Sequence, residues 1–222
     1  MRVFVFTLGF HEDFIIRRLT RKAAQPDDLI IVVTASPVVG GVQKALASLL
    51  EHCRRIGLKE PELVALDLSD GASALMDLRL RLQYLEEPLV VDLSGGMRII
   101  CALTLLALLI SRKRFELYVE SETGESGELY VPPGVIRAFT SLSREKLDIL
   151  LEIAKNPGIS VESLARRLGK PAKTVKNHLS ELKSMGLVAS HGRGAPLEVT
   201  RWGAVLVGFP ERSGEKRGGV AV

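Results

Sequence analysis

Short apolar runs alternate with amphipathic segments across residues 3–120, and this alternation constrains the fold more than any other feature. The runs are rich in Val, Ile and Leu and lack the polar positions of a strand with one wet face, so each is expected to be buried on both faces. The expected strands are 2–6, 28–35, 62–68, 89–93 and 115–120, with an added antiparallel strand at 128–131. Helices between them predict an α/β domain with a parallel sheet, helices on both faces and right-handed crossovers.

The stretch 88–113 combines a strand, a Ser94-Gly95-Gly96 turn and a helix with Arg98 in its first turn. Because residues 99–110 are apolar apart from one threonine, this helix is expected to be buried nearly all round. Two adjacent glycines let the backbone approach a ligand, and a helix N-terminus attracts an anion. An arginine there opposes the helix dipole. Arg98 is therefore expected either to bind a phosphate or to pair with Asp92 or a neighbouring loop.

Ligands of such sheets bind beyond the carboxyl ends of the strands, near the point where the strand order reverses. Four loops rich in glycine and small residues end there, and the pocket is predicted among them: 7–13, 36–41, 69–71 and 94–98. No GxGxxG follows the first strand and no GxxxxGK[ST] occurs, which disfavours an NAD site and a P-loop NTPase. Ser94 lacks the GxSxG context of a hydrolase nucleophile. His11 is open as a ligand contact, a base or neither.

Length and composition narrow the classes of protein further. The chain has 222 residues, which suits two domains. No apolar stretch reaches the roughly 18 residues of a membrane span, and the N-terminus lacks the pattern of a signal peptide. Cys53 and Cys101 are isolated, so neither a disulfide scaffold nor a metal site is expected, and a reducing cytoplasm is the expected location. The net charge of +4 is uneven, because residues 138–222 carry 14 Lys and Arg against 8 Asp and Glu, which favours a nucleic-acid partner.

The basic third of the chain predicts a second domain. Residues 1–134 form the first domain, 135–142 a linker, 143–210 the second domain and 211–222 a basic tail. Three helices at 143–155, 161–168 and 171–185, followed by a β-hairpin, are typical of a winged helix-turn-helix whose third helix enters the major groove of double-stranded DNA. A protein-binding winged helix is the alternative. The predicted DNA contacts are Lys170, Lys173, Thr174, Lys176, Asn177, Ser180 and Arg193.

Both halves resemble known families. Residues 147–206 resemble the ArsR/MarR-like winged-helix family. The residues that carry the resemblance are Ser163–Leu168, Thr174-Val175, His178-Leu179, Leu182, Gly186-Leu187-Val188 and Thr200 with Gly203. The first part resembles a CARF domain, the CRISPR-associated Rossmann-like fold, through the segment 8–12 and, more specifically, through 92–98. The combination is similar to archaeal CRISPR regulators of the Csa type.

That resemblance implies a homodimer that binds cyclic tetra-adenylate across its twofold axis and regulates CRISPR promoters. It favours Arg98 as a contact to this cyclic oligonucleotide, which is an effector and not a cofactor. The ligand-binding residues so expected are Thr7, Leu8, Gly9, Phe10, His11, Ser36, Pro37, Ser94, Gly95, Gly96, Met97 and Arg98.

Two alternatives stay open at this point. One is a ring nuclease, a CARF domain that cleaves its own cyclic ligand with His11 or Ser94, although no catalytic residue is assigned. The other is a Rossmann-type sensor of a metabolite or of redox state, which the missing GxGxxG disfavours. The chain has no R-x4–6-H pair, so the ribonuclease domain often joined to CARF is not expected.

Overall fold

The computed structural model describes residues 1–121, 127–190 and 195–208. The chain divides into two compact units, Met1–Ile136 and Arg137–Val222. The division falls inside the segment 135–142, the predicted linker. That segment is helical for most of its length, because a helix runs from Pro133 to Ser141 and buries Val135, Ile136 and Ala138 on one side.

The first unit is built on a six-stranded sheet, which confirms the predicted Rossmann-like α/β class. Its strands are β1 Val3–Thr7, β2 Leu29–Ser36, β3 Glu62–Asp67, β4 Leu89–Asp92, β5 Phe115–Glu120 and β6 Glu128–Val131. Its helices are α1 Asp13–Arg21, α2 Gly40–Arg55, α3 Gly71–Leu82 and α4 Arg98–Ile110, and α5 Pro133–Ser141 spans the division between the units. The strand order is β3-β2-β1-β4-β5-β6, and every pair is parallel except β5 with β6, as predicted.

The strand order reverses between β1 and β4. Successive strands first add on one side of β1, through β2 to β3, and then on the other side, through β4 to β5. The loops after β1 and β4 therefore leave the sheet side by side and in opposite directions. Such a switch point leaves a crevice at the carboxyl edge of the sheet.

Helices cover both faces of this sheet. Phe4 and Phe6 of β1 point to the α1–α2 side, where they join a core with Ile15, Leu19 and Leu49. Side chains alternate along a strand, so the intervening residues of β1 face α3 and α4. Both faces of β1, β2 and β4 are buried because each face has its own helical layer.

Two predictions about burial are wrong. Helix α4 is not buried all round, and β3, an edge strand, is buried only at Val64 and Leu66. Along α4 and the neighbouring α3 runs a stripe of large apolar side chains, each at least 47% exposed. We call it the α3–α4 face, and it consists of Met76, Leu80, Tyr84, Ile99, Leu106 and Ile110.

The second unit has the predicted winged helix-turn-helix elements. They are α6 Arg144–Lys155, α7 Val161–Leu168, α8 Ala172–Ser184, β7 Val188–Ala189, β8 Glu198–Val199 and α9 Arg201–Val207. Pro171 is the N-cap of α8 and not its first helical residue. The sequence pattern does not predict α9, although Thr200 caps this helix by accepting a hydrogen bond from the amide of Gly203 at 3.1 Å.

Some predictions fall on residues that the structure does not describe. The turn of the hairpin, with Arg193, and the tail 211–222 lie outside the described residues. Within the described ranges, none of the helices combines the length and the apolar character needed to span a bilayer.

Candidate functional site

A cleft of about 710 Å³ opens at the carboxyl ends of β1, β2 and β4. It is walled by three of the four predicted loops, while the loop 69–71 does not contribute. Nine of the twelve predicted ligand residues line it: Gly9, Phe10, His11, Pro37, Ser94, Gly95, Gly96, Met97 and Arg98. Six further lining residues are not among those predicted: Phe14, Thr34, Ala35, Val39, Val42 and Ile99.

The loops after β1 and β4 touch through their backbones. A Cβ on Gly9 would lie 2.9 Å from the amide nitrogen of Gly96, and a Cβ on Gly95 would lie 2.8 Å from the carbonyl oxygen of Thr7. Gly96 also has a φ of +89°, which side chains rarely adopt. Beneath the loop, the thiol of Cys101 donates to the carbonyl of Gly95 at 3.1 Å. Glycine is therefore required here for close approach of two chain segments.

Three helix N-termini border the cleft, and that of α1 carries Asp13 in its first turn. The other two have no side-chain cap. The N-cap residues are Val39 for α2 and Met97 for α4, and neither helix has an acidic residue in its first turn. Helix α3, whose N-terminus does not line the cleft, is capped instead by Asp70, which accepts from the amides of Ala72 and Ser73. Uncapped amides and the positive ends of two helix dipoles make the cleft attractive to an anion.

Arg98 lies in the first turn of α4, exposed and on the cleft wall. Its alternative partner Asp92 is taken, because the buried Arg18 donates from Nε to Asp92 at 2.7 Å. The interpretation of Arg98 as the partner of Asp92 is therefore wrong. Among the described residues, the Arg98 side chain forms no hydrogen bond or ion pair of its own, so its guanidinium is available to a bound anion.

Aromatic and apolar side chains form another part of the wall. Phe10 is 65% exposed, and its ring covers the first turn of α2, where a Cβ on Gly41 would lie 2.6 Å from the ring carbon Cδ1. An exposed aromatic ring at the mouth of a cleft can stack on a planar base. Sequence reasoning missed Phe14, although it lies only four residues beyond Phe10 and at the start of α1.

Three predicted ligand residues lie off the cleft wall. Thr7 and Leu8 are buried, and the Thr7 hydroxyl donates to the carbonyl of Gly95. Ser36 is exposed but is not among the lining residues. Through this hydrogen bond Thr7 holds the loop after β4 in place.

Ser94 on the cleft wall is held by its neighbours. Its hydroxyl donates to Asp92 and accepts a hydrogen bond from the amide of Glu120 at 2.8 Å. Within the described residues, no group of His, Cys, Asp and Glu side chains is arranged to hold a metal ion. The cleft wall thus combines uncapped helix amides, an exposed guanidinium and an exposed aromatic ring.

The second candidate surface is the outer side of α8. Lys173, Lys176, Asn177 and Ser180 are exposed and Thr174 is half-buried, so the predicted DNA contacts of this helix share one side. Lys170 precedes the helix and pairs with Glu145 of α6 at 2.5 Å, which lowers the pKa of that carboxyl.

Comparison with known proteins decides the family. The model of the Csa3 CRISPR-associated Rossmann-like domain matches residues 2–132, more than half of the chain. The chain belongs to the Csa3 family. A Csa3 protein of Saccharolobus solfataricus, named "CRISPR locus-related putative DNA-binding protein Csa3", is 33% identical over 208 residues, which cover 93% of this chain and 88% of that protein.

The winged helix-turn-helix is matched separately. A family model described as winged helix-turn-helix DNA-binding matches residues 144–189. A solved structure, the multiple antibiotic-resistance repressor MarR of Listeria monocytogenes, is 28% identical with a TM-score of 0.29, covering 30% of this chain and 48% of that chain. The chain is thus a Csa3-family, CRISPR-related DNA-binding protein. The cleft lies inside the Csa3 match, and α8 lies inside the winged-helix match.

Proposed function

We propose that this protein is a transcriptional regulator of CRISPR loci that binds a cyclic oligoadenylate, with cyclic tetra-adenylate as the favoured ring, in the cleft of its first unit. The observation that carries this proposal is the pairing of two uncapped helix N-termini with Arg98 on one cleft wall. A cyclic oligoadenylate combines the two chemistries that the wall offers to bind, phosphate anions and planar bases.

The phosphates and the bases of the ligand each have a matching group on the cleft wall. The amides at the start of α4 and the guanidinium of Arg98 face the phosphates, where a charge-assisted hydrogen bond is shorter and stronger than a neutral one. The exposed ring of Phe10 offers a stacking surface to an adenine. His11, also on the wall, is placed as a polar contact.

A homodimer is part of the proposal. The α3–α4 face is a large exposed apolar surface, and such surfaces mark sites of protein association. Its member Ile99 also lines the cleft, so a second copy docked on this face has its own cleft close by. A ring of identical nucleotides has rotational symmetry, which matches the twofold symmetry of an isologous dimer.

The second unit would bind DNA in response to the effector. Helix α8 presents lysines and an asparagine on one side, as a helix in the major groove of DNA does. Effector binding would change DNA affinity, by a typical coupling of about 5- to 150-fold. Because its effector and its promoter would both be in the cytoplasm, the protein would act there.

The test is titration calorimetry of the full chain with cyclic tetra-adenylate, followed by DNA binding with and without it. We expect saturable binding of one ring per dimer, and no binding of linear adenylate of equal length at the same concentration. Incubation with the ring and chromatography separates a sensor, which leaves the ring intact, from a ring nuclease, which yields linear product. A protein that binds neither ring nor product would contradict the proposal.

A further inference from the structure

A network of charged side chains lies where α1 packs against β4, β5 and β6. Its members are Arg17, Arg18, Arg21, Lys22, Asp92, Glu116, Glu120 and Glu128. The side chain of Arg18 is 3% exposed, whereas those of Arg17 and Arg21 are 41% and 53% exposed. Burying a charge is costly unless it is well paired, so the position of Arg18 calls for a reason.

Arg18 joins two parts of the first unit. Its Nε donates to Asp92 at the end of β4 at 2.7 Å, and its Nη2 donates to Glu128 at the start of β6 at 2.8 Å. Nη2 also donates to Glu120 at 3.1 Å. Burial disfavours the charge of this guanidinium, but the hydrogen bonds to Glu128 and Asp92 outweigh that effect and raise the pKa of Arg18.

The first of these connections reaches the cleft. The carboxylate oxygen of Asp92 that does not face Arg18 accepts a hydrogen bond from the amide of Ser94 at 2.9 Å and another from its hydroxyl. Ser94 begins the Gly95-Gly96 loop that forms the cleft wall. The orientation of Arg18 and the conformation of this loop are therefore fixed together through one carboxylate.

The second connection reaches the start of the second unit. Strand β6 ends at Val131, and α5 begins at Pro133 after a single residue. The division between the units falls within α5, after Ile136. Strand β6 is therefore followed, after Pro132, by a helix whose backbone continues from the first unit into the second.

We propose that Arg18 is a positioning residue that couples the effector cleft to β6, and through β6 to DNA binding. The proposal rests on the proposed function, since it assigns a route of regulation to the same cleft. The guanidinium suits this task because its planar fork holds Asp92 and Glu128 at once, which the single ammonium of lysine cannot do in the same geometry. Displacement of the Ser94 loop by a ligand would move Asp92, then Arg18, then β6.

The first test compares DNA affinity with and without cyclic tetra-adenylate in full-length variants, using fluorescence anisotropy with a labelled duplex spanning the promoter of a CRISPR locus from the same genome. Glu128→Gln leaves the pair of Arg18 with Asp92 intact. We expect it to bind the ring as the wild type does, while the ratio of the two DNA affinities falls at least about fivefold or to unity. Arg18→Lys should lower both ring affinity and the ratio.

Arg21→Lys is the matched control, because Arg21 also pairs with Glu128 but is exposed and does not pair with Asp92. It should keep the wild-type ratio. A wild-type ratio in both Glu128→Gln and Arg18→Lys would overturn the coupling role. Should Arg18→Lys fail to fold, Glu128→Gln alone decides.

A second test needs no effector and so separates this proposal from the proposed function. Hydrogen exchange of the unliganded protein is expected to accelerate in Arg18→Lys at residues 93–97 and 127–131 together, and in Arg21→Lys at neither. Acceleration at only one of the two segments, or at none, would overturn the link. If the wild type binds no ring, the proposed function fails, while exchange still decides whether Arg18 ties the two segments together.

Discussion

The α-carbon of Gly9 lies so close to Gly96 that a Cβ on it would stand 2.9 Å from the amide nitrogen of Gly96. The backbone of residue 9 fixes the position of that Cβ, and the amide nitrogen is itself backbone, so neither atom can rotate away as the end of a long side chain could. The contact joins the loop after β1 to the loop after β4 at the point where the strand order reverses.

Gly9→Ala is expected to force these loops apart. The cost should be about 1–3 kcal/mol of stability, as for other overpacked sites, together with weaker binding of the ring. Gly71→Ala is the control, since a Cβ there meets nothing within 4 Å. Thermal unfolding and calorimetry measure both effects, and equal behaviour of the two variants would contradict the tight contact.

Arg98→Ala should weaken binding of cyclic tetra-adenylate roughly 10- to 150-fold, because a hydrogen bond to a charged group is worth about 1.5–3 kcal/mol. The fold should be unaffected, since Arg98 is exposed. Arg114→Ala, an exposed arginine at the opposite edge of the sheet, is the control for loss of charge. Calorimetry gives the comparison, and equal affinities of Arg98→Ala and wild type would remove the role assigned to this arginine.

Leu106→Glu should dissociate the proposed dimer, because it places a charge in the middle of the α3–α4 face. Leu63→Glu is the control: Leu63 is 38% exposed on β3 and pairs with Val32, so it lies on the other side of the sheet. Sedimentation velocity measures the outcome. We expect a monomer for Leu106→Glu and a dimer for Leu63→Glu, and an unchanged dimer in the first variant would exclude this face.

Lys173→Ala and Lys176→Ala should each weaken DNA binding and reduce its dependence on salt. For each phosphate that the protein no longer neutralises, the slope of log affinity against log salt concentration becomes shallower by about 0.9. Lys155→Ala, exposed at the end of α6, serves as a charge control. Anisotropy titrations at several salt concentrations give the slopes, and unchanged slopes for both variants would mean that neither lysine touches phosphate.

Asp28 provides a prediction about pH. Burial of this carboxyl tends to raise its pKa, but hydrogen bonds from the amides of Gln25 and Arg2 and from the Arg2 guanidinium hold the pKa of Asp28 below its ordinary value. A lowered pKa in the folded state stabilises the protein above the unfolded value of about 3.9, and that contribution is lost as the pH falls through the folded value.

Asp28→Asn should therefore cost about 1.5–3 kcal/mol near neutral pH, the worth of hydrogen bonds to a charged group. The difference in free energy of unfolding between this variant and the wild type should shrink as the pH falls below about 4. Asp27→Asn, the exposed neighbour, should change little at either pH. Urea unfolding near neutral pH and below about pH 4 measures the free energies of unfolding. The same difference at both pH values would contradict the lowered pKa of Asp28.

The sheet and most of the cleft could be predicted from local sequence. Unbroken runs of Val and Ile indicate buried strands, and the Ser94-Gly95-Gly96 turn indicates the switch point because glycine is needed where backbones meet. Long-range pairing has no such signal. Arg18 and Asp92 are 74 residues apart, and nothing near either residue indicates that they are partners.

Hydrophobicity alone does not distinguish a core from an exposed apolar face. Ile99, Leu106 and Ile110 look the same in sequence as the buried Leu103 and Ala107. In α6, Leu147 and Leu151 are half-buried, whereas Ile149, Leu150 and Ile153 are buried. A helix rich in apolar residues fits several rotations about its axis, and only its neighbours select one.

The two cysteines of the chain provide a built-in reporter. Burial raises the pKa of the Cys53 thiol to about 11, which leaves that thiol almost unreactive. Cys101 is half-buried and donates to the carbonyl of Gly95. A maleimide dye is therefore expected to label Cys101, beneath the Gly95-Gly96 loop, in preference to Cys53, and its rate of attachment would report how accessible that thiol is in the native sequence.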